Sequence, residues 1–584
     1  MRFRELAEAY EKIEETSGRL DMMGLLAEIF AKAESREIGP IIYLTQGVLA
    51  PPFEGVEVGM GAKLAMQAIA VATGYDLKAV EKNAKKSGDV GDTAEELISE
   101  RRQRSLHSEE LAVLKVFESF HRIARISGHG AQEKKIGGLV ELLNSSDPLE
   151  ARYIVRFVIG ALRLGAGDST IMEALSIAKT GGRAEKESLE RAYNLCSDLG
   201  LVAKTLYEDG PEGIRRFGIR LFHPVRPALA ERLSSAEEII GKLGTCAADA
   251  KYDGFRMQVH KRGNEVEIYS RRLEKMTPMY PEIVAGIRAQ VRARDAILEG
   301  EALAYNEDSG EFYPFQTTIQ RKRKHGVAEK AAEFPLKLFA FDLLYADGRE
   351  LIREKYSERR KALESLVREG DRIRVSDSAV VSTAAGLQKF FDDCISRGLE
   401  GIIAKDLNAE YVAGARKFAW IKLKRSYKGE LADTIDVVIV GYLLGRGART
   451  EFGFGGFLGA VYDEDEDRFK TITKVGTGFT EEQMKGLKRA LDRIRLKEKP
   501  NNLDSEIVPD VWVAPKYVVT LAADEITRSP KHTAGRGKDG ESGYALRFPR
   551  LKGDIRADKG PKDATTVREI AGMFARQGRR ALGA

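Results

Sequence analysis

The chain has little cysteine and no long hydrophobic run. It holds three cysteines among 584 residues, none in a Cys-x-x-Cys pair, so we exclude a cysteine zinc cluster and a disulfide-built scaffold. The longest apolar stretch, residues 437–444, is far too short to cross a bilayer, and the amphipathic, acidic amino terminus is unlike a secretory signal. We therefore expect a soluble, cytoplasmic protein with no membrane partner.

An excess of one charge sign is also missing. Lys and Arg total 94 against 89 Asp and Glu, which gives a net charge of +5. Basicity spread over the whole chain is excluded, so any basic surface must be local. Hydrophobic residues make up 43% of the chain, enough for folded cores. At ordinary domain sizes, the length predicts about three or four domains.

Several nucleotide-binding and hydrolase signatures are absent. The chain has no G-x-x-x-x-G-K-[ST] loop, and its nearest string, residues 535–539, lacks both the first glycine and the hydroxyl residue. It has no complete dinucleotide fingerprint, no G-x-S-x-G and no H-E-x-x-H. A nucleotide used by this protein must therefore be held by other means.

Three segments differ in their patterns. Residues 1–215 carry apolar side chains at helical spacing, residues 216–428 mix strand-rich and helical stretches, and strands dominate residues 429–584. The acidic turn 463–467 predicts a hairpin, and a helical tail is expected at 566–577. We expect the last segment to form a small β-barrel.

A Gly-rich turn, residues 165–168, separates two predicted helices in the first segment. A turn that opens a helix can offer free N–H groups to a phosphate. An ordinary helix connection is the alternative, and the local sequence alone favours it.

The sharpest motif is K-x-D-G-x-R at residues 251–256. By average residue usage this pattern arises by chance in roughly one chain in a hundred of this length. Taken alone, it also fits a strand-to-turn junction, because Asp-Gly favours a turn. The strings that follow it decide between the two readings.

Five further strings follow in a fixed order. They are LEGE at 298–301, LFAFDLLY at 338–345, LEGIIAK at 399–405, WIKLK at 420–424 and RADK at 556–559. With K-x-D-G-x-R, they match the signature motifs of the lysine nucleotidyltransferases. The chain resembles the ATP-dependent DNA ligases, and among these the archaeal type most closely. The strings at 43–55 and 149–175 also resemble the helical DNA-binding domain of that family.

The resemblance implies a multidomain fold. Residues 1–215 would form an all-α DNA-binding domain, 216–428 an α+β nucleotidyltransferase (adenylation) domain, and 429–584 an OB-fold barrel with a helical tail. The implied function is DNA ligation: nicks in duplex DNA are sealed, 5′-phosphate to 3′-hydroxyl, through a lysine–AMP intermediate and a DNA-adenylate, in replication, recombination and repair.

The chemistry of this reaction explains Lys251. An amine that attacks the α-phosphorus of ATP must be neutral, and for an unperturbed lysine neutrality at pH 7 costs about 4.6 kcal/mol. Burial and neighbouring cations lower that cost. If the Asp-Gly turn folds the chain back, Arg256 lies on the same side as Lys251, where it can depress the lysine pKa and hold phosphate oxygens. Lys251 is thus our candidate nucleophile.

Further cations are needed around a triphosphate. Lys405, Arg416, Lys422 and Lys424 are our candidates, and residues 416–428 hold six basic residues and no acid. A solvated basic loop is the alternative for that run. The alternation of WIKLK instead places Lys422 and Lys424 on one strand face, which favours a face directed at a ligand.

Four ATP-binding roles come from the resemblance alone. Asp249 stands where the family usually has a glutamate near the adenine, and Phe341 matches the aromatic residue that stacks on this base. Arg271 matches an arginine that contacts phosphate or ribose. Glu301 matches a glutamate near the ribose, and its alternative is a solvated strand carboxylate. For Phe341 the alternative is core packing, because either it or Phe339 must face inward.

Metal and closure residues complete the prediction. Mg²⁺ favours oxygen ligands, so Glu301 and Glu400 are the candidate ligands, with Mn²⁺ as an alternative ion. Arg556 and Lys559 match the final motif, which would orient pyrophosphate when the last domain closes over ATP. We place the hinge for that motion at residues 426–431.

Several alternatives are disfavoured by the helical first segment, by the missing cysteine cluster and by the presence of Lys251 with its partner motifs. An RNA ligase or an mRNA-capping guanylyltransferase would share the lysine chemistry, an NAD-dependent ligase would carry a cysteine zinc cluster, and a protein with a dead nucleotide fold would only bind DNA. The expected partner is nicked double-stranded DNA in the nucleoid, and we expect a monomer. No segment is an unmistakable clamp-binding peptide, so a sliding clamp remains an open partner.

Overall fold

The structure is a computed structural model. It describes residues 1–16, 18–101, 110–162, 164–305, 318–323, 326–397, 399–424, 434–445, 453–476, 479–523, 525–537, 542–547 and 549–579. The chain divides into two compact units. The first consists of Met1–Glu231, Lys242–Thr383 and Ile403–Ile421, and the second of Arg232–Gly241, Ala384–Ile402 and Lys422–Ala584.

Helices make up the beginning of the first unit. They are α1 (Phe3–Glu15), α2 (Arg19–Ala31), α3 (Ser35–Gln46), α4 (Ala62–Thr73), α5 (Leu77–Ser87), α6 (Val90–Ser99), α7 (Val113–Arg125), α8 (Ala131–Ser145), α9 (Pro148–Val158), α10 (Asp168–Thr180), α11 (Lys186–Cys196) and α12 (Leu199–Arg215), with a 3₁₀ turn at Pro52–Glu54. The predicted helical segment is confirmed.

Local sequence explains where these helices begin. Before α9, the side chain of Asp147 accepts a hydrogen bond from the Glu150 backbone, and Pro148 occupies the first turn, where its missing N–H costs nothing. The segment after α9 leads into α10 at Asp168, so the predicted helix, turn and helix are confirmed.

Two glycines let α3 and α12 approach closely. A Cβ on Gly39 would lie 3.4 Å from the Gly200 carbonyl oxygen, and a Cβ on Gly200 would lie 2.3 Å from the Tyr43 ring. The backbones therefore come nearer than side chains would allow. Across the same contact the Tyr43 hydroxyl donates to Asp198, the N-cap residue of α12, at 2.6 Å.

The middle of the chain contains two sheets. Their strands are β1 (Leu229–Arg232), β2 (Cys246–Lys251), β3 (Phe255–Arg262), β4 (Glu265–Ser270), β5 (Asp295–Ala304), β6 (Leu336–Ala346), β7 (Arg349–Glu350), β8 (Ile373–Val375), β9 (Ser378–Val381), β10 (Gly401–Asp406) and β11 (Arg416–Lys424). One sheet has the order β4-β3-β5-β6-β7, with β8 also on β6, and the other has the order β1-β11-β10-β2-β9. Consecutive strands β2 and β3 thus belong to different sheets.

Helices accompany these sheets. They are α13 (Ala236–Leu243), α14 (Pro281–Gln290), α15 (Val327–Glu333), α16 (Tyr356–Leu366) and α17 (Ala384–Ser396), with 3₁₀ turns at Thr277–Met279 and Ile319–Arg321. Apolar residues of α14 and α16, such as Ile283 and Leu363, share a core with Val259 and Leu298 of the six-stranded sheet. This mixed architecture confirms the predicted α+β segment.

The end of the chain is rich in strands, as predicted. These are β12 (Ile435–Leu443), β13 (Gly456–Asp463), β14 (Arg468–Val475), β15 (Arg495–Leu496), β16 (Leu503–Asp504), β17 (Val511–Val513), β18 (Val518–Ala522), β19 (Glu525–Ser529), β20 (Gly543–Arg547) and β21 (Arg550–Arg556). Two helices, α18 (Glu481–Asp492) and α19 (Val567–Arg579), and a 3₁₀ turn at Pro561–Asp563 complete the unit.

The acidic turn joins β13 and β14 as an antiparallel hairpin, as predicted, with Asp463 opposite Arg468. The larger sheet runs β15-β17-β12-β13-β14-β16, with β18 pairing β12 and β21. Over the described parts of the chain, these pairings form an open sheet, so the closed barrel stays a prediction. None of the helices in those parts is long and apolar enough to span a membrane.

The close approach of α3 and α12 can be tested. The substitution Gly200→Ala should destabilise the protein by about 1–3 kcal/mol, because the new methyl group overlaps the Tyr43 ring. Gly137→Ala is the matched control: it also adds a methyl group within a helix, but nothing lies within 4 Å of that Cβ. The control should be neutral or stabilising by up to about 1 kcal/mol. Equal thermal midpoints for both variants would contradict the packing.

Candidate functional site

Lys251 lies at the junction of the two sheets. It is the last residue of β2, and residues 252–254 connect it to β3. A Cβ on Gly254 would lie 2.3 Å from the Ala302 carbonyl oxygen of β5, so only glycine allows this approach. The sequence Asp-Gly after the lysine thus turns the chain tightly against β5. Lys251 is partly buried, and its Nζ lies 3.5 Å from the Tyr252 carbonyl oxygen.

Glu301 on β5 stands beside this turn. It is opposite Arg256 in the β3–β5 register, and its Oε1 accepts a hydrogen bond from the Gly254 N–H at 3.2 Å. Burial raises the pKa of Glu301 to about 7, while the charges of Lys251 and Arg256 oppose that rise. The structure therefore brings together three of the predicted site residues.

Arg256 is held firmly by the protein. Its terminal nitrogens donate to the Ala228 carbonyl oxygen at 2.7 Å and to Glu299 Oε2 at 2.9 Å. The guanidinium carbon lies 5.4 Å from the centre of the Phe341 ring. Glu299 also accepts a hydrogen bond from the Tyr411 hydroxyl at 2.7 Å. Burial notwithstanding, these partners raise the pKa of Arg256, which stays charged.

The two phenylalanines of β6 differ in burial. Phe339 is buried and stacks on Tyr252, with ring centres 4.4 Å apart. Phe341 is only partly buried, and its ring meets Trp420 edge-on at 6.0 Å. The residue that fills the core is therefore Phe339. This leaves Phe341, beside Arg256, as the candidate for stacking on adenine.

Asp249 and Lys405 form a buried ion pair. Lys405 Nζ lies 2.7 Å from Asp249 Oδ2, and both side chains are at most 2% exposed. The Lys405 ammonium also donates to the Phe341 carbonyl oxygen at 3.1 Å and lies 4.3 Å from the centre of the Trp420 ring. Burial lowers the pKa of Lys405. The predicted phosphate contact of Lys405 stays a prediction, since its ammonium is engaged with Asp249.

The remaining cations of the middle segment are placed as follows. Arg271 is exposed in the turn after β4. Arg416 opens β11, but its side chain lies outside the described parts, as does the predicted hinge at 426–431. Lys422 and Lys424 alternate with two buried residues, which confirms their common strand face. Lys424 forms an ion pair with Glu400, the second predicted metal ligand.

Arg556 and Lys559 share an acidic anchor in the second unit. Lys559 Nζ lies 2.6 Å from Asp436 Oδ2, and an Arg556 nitrogen lies 3.8 Å from the same oxygen. Arg556 also pairs with Asp558 at 2.6 Å. The Thr520 hydroxyl donates to the other oxygen of Asp436 at 2.6 Å. The side chains of the predicted final motif thus contact strand β12 through Asp436 and strand β18 through Thr520.

Comparison with known proteins decides the family. Three family models match in succession: the DNA ligase N terminus over residues 2–176, the ATP dependent DNA ligase domain over 227–424, and the ATP dependent DNA ligase C terminal region over 450–559. The chain belongs to the ATP-dependent DNA ligase family.

Full-length relatives agree with this membership. The ligase is 49% identical over 577 residues to the "Probable DNA ligase" of Dictyoglomus thermophilum, covering 99% of this chain and 98% of that protein. It is 44% identical to "DNA ligase 2" of Thermofilum pendens, covering 99% and 98%. A solved structure described as "Pmar-Lig_PreS3" has 17% identity and a TM-score of 0.54, covering 94% of this chain and 99% of that one. That likeness supports the fold alone.

Sequence reasoning missed several side chains around the site. Glu299 lies within the LEGE string but received no role, although it is 1% exposed and pairs with Arg256. Tyr356, Ser378 and Tyr411 had no signal, because each reaches the site from far along the ligase chain. Their hydroxyls contact Asp249 or Glu299 at 2.6–2.9 Å. The available signal was Asp249, an acid two residues before Lys251 on a strand, since a buried carboxylate needs hydrogen-bond donors from elsewhere in the chain.

The pKa of Glu301 predicts how stability depends on pH. Because the folded pKa, about 7, exceeds the ordinary 4.5, the protonated carboxyl stabilises the ligase below pH 4.5, and this contribution is lost as the pH rises through about 7. Relative to Glu301→Gln, the unfolding free energy of the unsubstituted ligase should fall by up to about 3 kcal/mol over that window. Urea unfolding at several pH values measures the difference. A constant difference would contradict the raised pKa.

Proposed function

We propose that Lys251 is the nucleophile with which this ATP-dependent DNA ligase captures AMP. The observation that carries the proposal is the junction between the two sheets, where a glycine-only turn sets Lys251 beside Glu301 and Arg256. Lys251 also occupies the position of the lysine in the K-x-D-G-x-R motif of the family. The fixed Arg256 guanidinium supplies a positive charge that can stabilise phosphate oxygens.

Three transfers follow from this assignment. The lone pair of the neutral Lys251 Nζ forms a P–N bond with the α-phosphorus of ATP, and the bond to the pyrophosphate oxygen breaks. A 5′-phosphate oxygen at the nick next attacks the same phosphorus and displaces Lys251. The 3′-hydroxyl then attacks the activated 5′-phosphate, its proton is lost to a base, and AMP leaves. Each step needs charge stabilisation at a phosphoryl group.

The nucleotide would be held by residues from several strands. Arg256 and Glu301 would face the ribose and phosphates, and Phe341 would stack on the base. The proposed ATP-binding residues are Arg256, Arg271, Glu301, Phe341, Arg416 and Lys422, and the additional phosphate contacts are Lys405, Lys424, Arg556 and Lys559. Asp249, which the resemblance placed near the adenine, is not included, because protein donors occupy its carboxylate. Support for the set comes from motif order and, for the residues around β2 and β3, from their mutual contacts.

We further propose a divalent cation, Mg²⁺ or Mn²⁺, with Glu301 as one oxygen ligand. Among the described residues this carboxylate accepts a single hydrogen bond, on Oε1 from Gly254, so its chemistry fits a hard cation that keeps several waters. Glu400 fits less well, because Lys424 already neutralises it. In the described parts of the chain no cluster of three acidic, histidine or cysteine ligands occurs. A bound cation would supply charge to the phosphates.

The domains would divide the work on nicked double-stranded DNA. We propose that residues 1–215 bind the duplex, 216–428 carry out adenylation, and 429–584 form an OB-fold with a helical tail that supplies Arg556 and Lys559. Because a nick occurs in any sequence, the contacts should be mainly to the DNA backbone. We propose that the ligase acts as a monomer at the nucleoid, with a sliding clamp as a candidate partner.

Substitution of Lys251 tests the proposal. After incubation with α-³²P-labelled ATP, the unsubstituted ligase should carry a covalent label that nicked DNA removes. Lys251→Ala should carry none, because no amine remains to form the P–N bond. Lys261→Ala is the control, since that lysine lies on β3 at the end away from the turn and donates to the carbonyl oxygens of residues 291 and 293. Label on the Lys251→Ala protein would contradict the proposal.

A further inference from the structure

The carboxylate of Asp249 is surrounded by donors. Its Oδ1 accepts from the Tyr356 hydroxyl at 2.9 Å and from the Ser378 hydroxyl at 2.6 Å. Its Oδ2 accepts from the Lys405 ammonium at 2.7 Å and lies 2.8 Å from the Tyr356 hydroxyl, whose single proton is shared between the two oxygens. Three donors thus occupy most of the roughly four lone-pair sites that a carboxylate offers. Asp249 therefore has little capacity left for a donor on a nucleotide base.

These donors come from three elements around β2. Ser378 is the register partner of Asp249 on β9, and Lys405 lies on β10, the neighbouring strand on the other side. Tyr356 is the first residue of helix α16. The Asp249 side chain thus joins both neighbouring strands and a helix to the strand that ends, two residues later, in Lys251.

Helix α16 is also hydrogen-bonded to the six-stranded sheet, which contains β6. One turn after Tyr356, the Arg359 guanidinium makes two hydrogen bonds to Asp342 of β6, at 2.8 and 3.1 Å, and both side chains are 0% exposed. Asp342 directly follows Phe341, the proposed adenine-stacking residue. Through α16, the position of β2 in one sheet is therefore tied to the position of β6 in the other.

We propose that Tyr356 is a positioning residue for the nucleophile, and that Asp249 acts through this hydrogen-bonded cluster rather than by reading the adenine. The inference rests on the proposed role of Lys251. Tyr356 and Asp249 set the end of β2 relative to Phe341, so they fix the distance between the lysine amine and the α-phosphorus. A small displacement there slows transfer steeply, because the reacting atoms must be aligned.

The substitution Tyr356→Phe tests the proposal, because it keeps the ring beside Lys405 and removes only the hydroxyl. The single-turnover rate of self-adenylation should fall about tenfold, the expected effect of losing a buried hydrogen bond to a charged group. The KM for ATP should change by less than about twofold, and transfer from GTP should fall by the same factor as transfer from ATP. Ser378→Ala should act in the same direction with a smaller effect.

Sealing of a nick that is already adenylated separates positioning from damage to the fold, because that last step does not use the lysine amine. It should be unchanged in Tyr356→Phe. Tyr43→Phe is the matched control: it also removes a tyrosine hydroxyl that donates to an aspartate, Asp198, but within the helical segment. Its self-adenylation should equal that of the unsubstituted ligase.

Three results would overturn the inference. They are unchanged self-adenylation in Tyr356→Phe, an altered ratio of ATP to GTP transfer, and an equal loss in sealing of pre-adenylated DNA. The failure of the Lys251 assignment would look different, because the unsubstituted ligase would then carry its label on another residue or carry none.

Discussion

The site depends on one close backbone approach, between Gly254 and the Ala302 carbonyl of β5. No side chain fits there, so the chain can leave one sheet after Lys251 and enter the other at Phe255 without a long loop. The Gly254 N–H then points at Glu301 and fixes that carboxylate beside the lysine. This short turn thereby brings residues of both sheets together, and the motif K-x-D-G-x-R encodes it.

Charge balance around that turn explains the pattern of buried acids. Two buried cations beside the turn have their own carboxylates: Arg256 has Glu299 and Lys405 has Asp249. Isolated buried charges would be costly, and removing one partner of such a pair typically destabilises a protein by about 3–5 kcal/mol. The pairs hold the cations in place before any nucleotide arrives. Burial raises the pKa of Glu301 to about 7, and the charges of Lys251 and Arg256 oppose that rise.

Local pattern allowed much of the fold to be predicted. Alternation placed Lys422 and Lys424 on one face, and the acidic turn at 463–467 became the hairpin between β13 and β14. These features depend on neighbours in sequence. The motif strings likewise located Lys251, Arg256 and Glu301, which meet because β3 pairs with β5. The closed barrel was also expected, but the described strands form an open sheet.

The supporting contacts could not be predicted, because they join distant residues. Tyr356 lies 107 residues after Asp249, and Tyr411 lies 112 residues after Glu299. Periodicity carries no information on such pairs. The role expected for Asp249 shows the consequence: its position in the motif suggested contact with adenine, whereas its surroundings in three dimensions show a carboxylate occupied by protein donors.

The most direct test of the account is peptide mass spectrometry of the ligase after incubation with ATP and removal of free nucleotide. The account predicts one adenylyl group, attached to the peptide that contains Lys251 and lost after addition of nicked DNA. An adenylyl group on a different lysine, or its absence from a preparation that seals nicks, would contradict the account.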